Sequence, residues 1–189
     1  IENIPAQVAV LGGGNTAMDA AVTARELGAG DVYLVYRRSF KEMPAWPAER
    51  ERFMECGGHC LMLTQPVGYE TDEDGRLTGL RIARTQLGPP GESGRRSPVL
   101  VEDSESVLDV QLVIEAIGQR MSESVKSALE GVALTDNGLV QTGEGGSLAT
   151  SIDGVYAAGD IVNGGTTVVQ GVMEGMAAAN QIDANFQRG

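Results

Sequence analysis

The sequence predicts an α/β fold built on a parallel sheet, and three observations carry that expectation. An apolar run at residues 7–11 (QVAVL) stops at Gly12-Gly13-Gly14, a helical pattern follows, and a second apolar run from Asp31 to Tyr36 (DVYLVY) completes strand, turn, helix and strand within thirty residues. Further apolar runs and helical patterns alternate along the chain, as parallel-sheet proteins require. Hydrophobic residues at 42% and charged residues at 21% of 189 are those of an ordinary globular protein long enough to bury a core.

The first helix is expected to be capped by Asn15 or Thr16, to carry Ala17, Met18, Ala20, Ala21, Val22, Ala24 and Leu27 at helical spacing, and to stop at Gly28. Pro44 and Pro47 bracket the start of a second helix, whose charged stretch Glu49 to Glu55 ends at Gly57-Gly58. A third strand is expected from His59 to Thr64. Alternating patterns around Leu77-Leu80-Ile82 and Val99-Leu100-Val101, separated by turn signals, predict an antiparallel meander at about 66–104 inserted in the parallel fold, with 88–97 as an exposed loop. Leu112 to Ile117 reads as another strand ending at Gly118. Beyond it come a short helix at 123–130, a turn at Asn137-Gly138, a last strand at Gly154 to Ala158 and a long helix from Thr167 to Phe186. The whole is a Rossmann-like parallel sheet with an antiparallel insert, followed by a separate C-terminal strand and helix.

Charge narrows the function. A net charge of −12 argues against nucleic acid or an anionic membrane as partner, since an acidic surface repels polyphosphate. Any phosphate site is therefore local. With no apolar stretch near the ~20 residues of a membrane span, a soluble, cytoplasmic setting is expected. The chain begins with Ile1 rather than Met, as expected of a processed product or an excised piece.

Gly12-x-Gly14-x-x-Ala17 between a strand and a helix fits the dinucleotide fingerprint. The first glycine permits the tight turn, the second lets the backbone approach a pyrophosphate, and Ala17 lets the helix pack close to the strand. The amides of Gly13, Gly14, Asn15 and Thr16 lie where the helix N-terminus offers donors and partial positive charge. At the end of the second strand an NAD site carries an acidic residue for the ribose 2′-hydroxyl. This chain has Arg37-Arg38 there, which predicts charge-assisted recognition of the 2′-phosphate of NADP(H).

Taken together, VAVLGGGNTAMDAA (8–21), YRRSFKEMPA (36–45), AIG (116–118) and GVYAAGDIVNGGTTVVQGVMEG (154–175) resemble the glutamate synthase small-subunit branch of the pyridine nucleotide-disulfide oxidoreductases, along almost the whole chain. The resemblance implies an NADPH domain at 1–118, with Gly118 at its edge, and a return to the FAD-binding domain at 119–189. It further implies that Gly159 and Asp160 bind the flavin ribityl chain, and that Thr167 and Val168 face the isoalloxazine at a helix N-terminus. The family's first half, with its own FAD fingerprint and iron–sulfur cysteines, has no counterpart here, and Met176 replaces an arginine of many relatives. Such a chain is expected to bind FAD weakly or not at all alone, and to need the FAD-binding half of a parent protein or a partner subunit for turnover.

Hydride transfer needs no acid–base triad, so no catalytic side chain is expected and His59 is read as structural, with no evident partner in sequence. One histidine and two cysteines make no metal-ligand spacing. Cys56 and Cys60, separated by three residues, are not a CxxC pair and read as structural thiols rather than a thiol–disulfide centre. Two other readings are a non-catalytic NADP sensor and an interaction module that forms a homodimer through Val169, Val172, Met173 and Met176.

Overall fold

In the computed structural model, which describes residues 4–91 and 94–187, the chain divides into two units, Ile1–Gly118 and Gln119–Gly189. In the first, β1 (Gln7–Leu11), α1 (Asn15–Glu26), β2 (Asp31–Tyr36), α2 (Pro47–Glu55) and β3 (His59–Met62) alternate. β4 (Thr64–Thr71), β5 (Leu77–Pro90), β6 (Arg96–Leu100) and β7 (Ser106–Leu108) follow as the predicted antiparallel insert, and β8 (Leu112–Glu115) rejoins the parallel sheet in the order β3-β2-β1-β8.

Strand alternation decides the layering. Val8, Val10, Val32 and Leu34 pack against Ala17, Met18, Ala21 and Val22 of α1 and Phe53 of α2. The intervening Ala9, Leu11 and Val35 cluster on the other face with Leu80 of the insert and Val110. Both faces being covered, β1 and β2 read as unbroken apolar runs. Each large side chain buried there contributes about 1.5–3 kcal/mol. β1 lies between β2 and β8, so the strand order reverses at β1, and the crevice outside its carboxyl end is where open α/β sheets take ligands.

In the second unit, α3 (Glu123–Ala128) is capped by Ser122, whose hydroxyl accepts from the Val125 amide. A short α4 (Asp160–Asn163) precedes α5 (Val168–Phe186), which starts at Thr167. Gln181 Oε1 accepts from Leu148 N, and its amide donates to Gly146 O, so α5 is tied to the preceding loops by polar contacts. Val169, Val172, Met173 and Met176 are exposed.

Several expectations are corrected. Gly14, not Asn15 or Thr16, is the N-cap of α1, and the Asn15 side chain instead accepts from Trp46 N at 3.0 Å. β3 ends at Met62 because Leu63, at φ 51°, turns the chain into β4. The expected exposed loop at 88–97 is largely strand: Gly88 to Pro90 close β5, and Arg96 and Ser97 open β6. Prolines are tolerated there because Pro98 sits on an edge strand and Pro90 beyond a register shift. Glu92 and Ser93 lie outside the described residues. β7 extends the insert past 104, and the strand before Gly118 stops at Glu115. The expected strand at 154–158 is a single bridge, Ala149 to Tyr156, because a strand needs a ladder and this segment is given only one partner residue.

Candidate functional site

The three glycines at the end of β1 are glycines for different reasons. Gly12 has φ 140°, its amide donates to Val35 O at 3.1 Å, and a Cβ there would stand 2.3 Å from the Ala116 carbonyl oxygen. At Gly13 a Cβ would enter the Tyr36 ring at 2.5 Å. Gly14 has an unremarkable φ of −90° and ψ of 174°, and its Cβ would meet nothing within 4 Å among the described residues. Neither conformation nor packing against those residues calls for glycine at that position. Gly14 is also the N-cap of α1 and brings no capping side chain, so the amides of Asn15 and Thr16 have no acceptor among the described residues.

Residues 37–46 fold back over this turn. Ala45 N donates to Gly13 O at 2.9 Å, and the Tyr36 hydroxyl donates to Glu42 O at 2.8 Å. Ser39 and Glu42 form a capping box, and the Ser39 hydroxyl holds the Glu42 carboxyl below the usual carboxylate range. Arg37 and Arg38 thus reach the carboxyl end of β2 beside the glycine turn, but they diverge. Arg37 is exposed, whereas Arg38 is 7% exposed, donates from Nε to Arg96 O at 3.2 Å, and pairs with no carboxylate among the described residues. Adjacent residues leaving a strand point to opposite sides, which is why a paired motif is not a paired grip.

In the second unit Gly159 adopts φ 77° and ψ −154°, and Asp160 opens α4 with an exposed side chain. Thr167 caps α5, its hydroxyl accepting from Gln170 N at 3.2 Å, and Val168 is exposed. Gly118 has φ 98° at the end of the first unit. Sequence reasoning assigned nothing to Glu174, although it organises this region. Its carboxylate accepts from Gln170 Nε2 at 2.8 Å, from Gly159 N at 2.7 Å and from Asn163 Nδ2 at 3.0 Å. The i, i+4 relation to Gln170 was readable, but the contacts to residues 159 and 163 cross a loop.

These bonds, the one from Gln170 foremost, hold the Glu174 carboxyl below its usual range. A lowered folded pKa means stabilisation that is present above the unfolded value, about 4.3, and is lost as pH falls through the folded one. Hydrogen exchange at the Gly159 amide is therefore expected to lose protection in the native chain only as pH falls below the ordinary carboxylate range. In Glu174→Gln, whose side-chain carbonyl still accepts but carries no charge, protection corrected for the intrinsic rate is expected to be weaker than native and independent of pH.

His59 has a partner that sequence order hid: Asp31 Oδ1 lies 3.0 Å from its Nε2 across parallel strands, and the ring stacks on Tyr33 at 5.0 Å. Both partners are roughly half exposed. Cys56 and Cys60 are free, Cys56 Sγ donates to Phe53 O, and burial pushes the Cys60 thiol up, the opposite of an activated thiolate. Among the described residues no cluster of ligand side chains suits a metal, and no helix is long and apolar enough to cross a membrane.

Residues 1–179 match the family described as pyridine nucleotide-disulphide oxidoreductase. The chain is 40% identical to the NADP(+)-dependent formate dehydrogenase subunit beta of Moorella thermoacetica, covering 96% of this chain and 25% of that protein. It is 36% identical to the glutamate synthase [NADPH] small chain of Escherichia coli (strain K12), covering 93% and 38%. The chain thus spans between a quarter and two fifths of these curated relatives. Among solved structures, thioredoxin reductase of T. acidophilum superposes with TM-score 0.73 at 20% identity, covering 95% of this chain and 52% of that one. FprA of Mycobacterium tuberculosis in complex with NADPH superposes with TM-score 0.68 at 18% identity, covering 97% and 53%. At these identities the two structures establish the fold.

Proposed function

The chain belongs to the pyridine nucleotide-disulphide oxidoreductase family, and within it we propose that residues 1–118 are the NADPH-binding portion of a flavin-dependent oxidoreductase and 119–189 the returning segment of its FAD-binding domain. The observation that carries this reading is Gly14. It is a glycine with no steric or conformational reason among the described residues, standing before a helix N-terminus whose first amides find no acceptor there. A pyrophosphate approaching the backbone supplies the missing reason, and the donors of Asn15 and Thr16 with the helix dipole hold it. The relatives whose names specify NADPH or NADP(+) support the choice of nucleotide.

Hydride exchange between nicotinamide and flavin is chemistry the cofactors supply when bound. The chain's own part is to hold and orient. Arg37, exposed beside the turn, meets the 2′-phosphate. Asp160 and Gly159 stand for the ribityl side of the flavin, Glu174 fixes their loop against α5, and the N-terminus of α5 at Thr167 and Val168 offers its dipole to the ring. No general acid or base is assigned. The exposed apolar side chains of α5 pack against the FAD-binding half of a longer protein or against a partner subunit.

Calorimetric titration with NADPH and NADH tests the reading. NADPH is expected to bind at least about tenfold more tightly than NADH, and Arg37→Ala to narrow that margin while leaving NADH unchanged, the loss of one charge-assisted contact. Arg37 serves this better than Arg38, whose buried guanidinium also holds β6. Equal affinity for the two nucleotides would overturn the NADPH assignment.

A further inference from the structure

Beside the arginine turn lies an open cavity of about 530 Å³ lined by Ser39, Leu63, Arg84, Thr85, Arg96 and Val101 among others. Among the described residues no carboxylate lines it. That is notable on a chain carrying 26 acidic residues against 14 Lys and Arg. Its walls come from two places: Ser39 follows the arginine pair on the β2 turn, while Arg84, Thr85 and Arg96 belong to the antiparallel insert.

The two are pinned together. Buried Thr85 donates from its hydroxyl to Arg37 O at 2.9 Å and from its amide to Leu63 O at 2.7 Å, and Leu63 N donates to Arg38 O at 3.0 Å. Arg38 in turn donates to Arg96 O. Arg84 is held by its main chain on both sides: its amide donates to Ser104 Oγ at 3.0 Å, and its carbonyl accepts from Val101 N at 2.9 Å. Its exposed guanidinium has no hydrogen bond or ion pair among the described residues. Arg96 is committed otherwise, donating to the Gly88 and Leu87 carbonyls. Arg84 is thus a cation on a fixed backbone, lining together with Ser39 of the arginine turn a cavity to which no described residue brings a carboxylate.

We propose that Arg84 is a ligand of the 2′-phosphate, so that the antiparallel insert, and not the β2 turn alone, sets the preference for NADPH over NADH. The proposal rests on the reading of the glycine turn as an NADPH site. Arg37 and Arg38 diverge, and Arg84, whose neighbour Thr85 is bonded to the Arg37 carbonyl, provides the second guanidinium for a dianionic phosphomonoester. Thr85 acts as a positioning residue, keeping β5 against the arginine turn.

The test is calorimetric titration of the chain with adenosine 2′,5′-bisphosphate and with adenosine 5′-monophosphate, repeated on Arg84→Ala and Arg84→Lys. The native chain is expected to favour the bisphosphate. Arg84→Ala is expected to weaken the bisphosphate by about tenfold or more and to leave the monophosphate unchanged, with Arg84→Lys between them, since lysine keeps the charge but not the fork. Full bisphosphate affinity in Arg84→Ala, with native preference intact, would overturn the role of Arg84 and leave the NADPH reading standing. Equal weakening of both ligands would also overturn it, as damage to the fold rather than loss of a phosphate contact. A native chain that does not discriminate between the ligands would overturn both the proposal and the reading beneath it.

Discussion

Gly14→Ala is expected to leave the protein folded and to weaken NADPH binding by about 10- to 100-fold, the penalty for forcing a methyl group into a close contact. The added Cβ meets nothing within 4 Å among the described residues, and the backbone angles suit alanine. Alanine is a poorer N-cap than glycine, but it also lowers the entropy of the unfolded chain, so the net change in stability is expected within about 1 kcal/mol. Urea denaturation checks the stability, and calorimetry on the same sample checks the affinity. Native affinity in this variant would mean that the α1 N-terminus is not where the nucleotide sits.

Gly12→Ala, two residues earlier, is expected to do the reverse and damage the fold itself. Its Cβ would stand 2.3 Å from the Ala116 carbonyl oxygen, a backbone atom of the strand connection that cannot swing aside, and φ is 140°. Strained backbone and overpacking together are expected to destabilise by about 3 kcal/mol or more. The midpoint of urea denaturation reads this directly, with no ligand present. A Gly12→Ala chain as stable as the native one would contradict the packing of β1 against the segment after β8.

The fold was legible where its signals are local. The β1–turn–α1–β2 unit lies within thirty residues, and each boundary carries its own marker: the glycine turn, the helical spacing, Gly28 and the apolar run that follows. Thr167 before α5 is the same kind of signal. Features missed by the sequence reading depend on which residues pair, which residue type alone does not report. Pro89 and Pro90 look like a loop until Pro90 is seen opposite Arg96 on an edge strand. The run 154–158 looks like a strand because its residues favour one, but only Tyr156 finds a bridge.

The candidate site divides the same way. The structure brings Gly12 to Ala17 and Arg37-Arg38 together at the carboxyl end of the parallel sheet, as their spacing along the βαβ unit implies. That Arg38 is buried against β6 was not legible, because Arg96 lies 58 residues away. Asp31 and His59 are separated by 28 residues and meet only through strand register. Glu174 reaches Gly159 across 15 residues and a turn in the left-handed region, which no periodicity reports.

The central claim is that the uncapped N-terminus of α1 holds the pyrophosphate of NADPH. The most direct measurement is an amide chemical-shift titration of the isotopically labelled chain with NADPH. The largest shifts are expected at Gly14, Asn15 and Thr16, with smaller ones at Arg37. Saturable binding that leaves those three amides unmoved would place the nucleotide elsewhere and contradict the account.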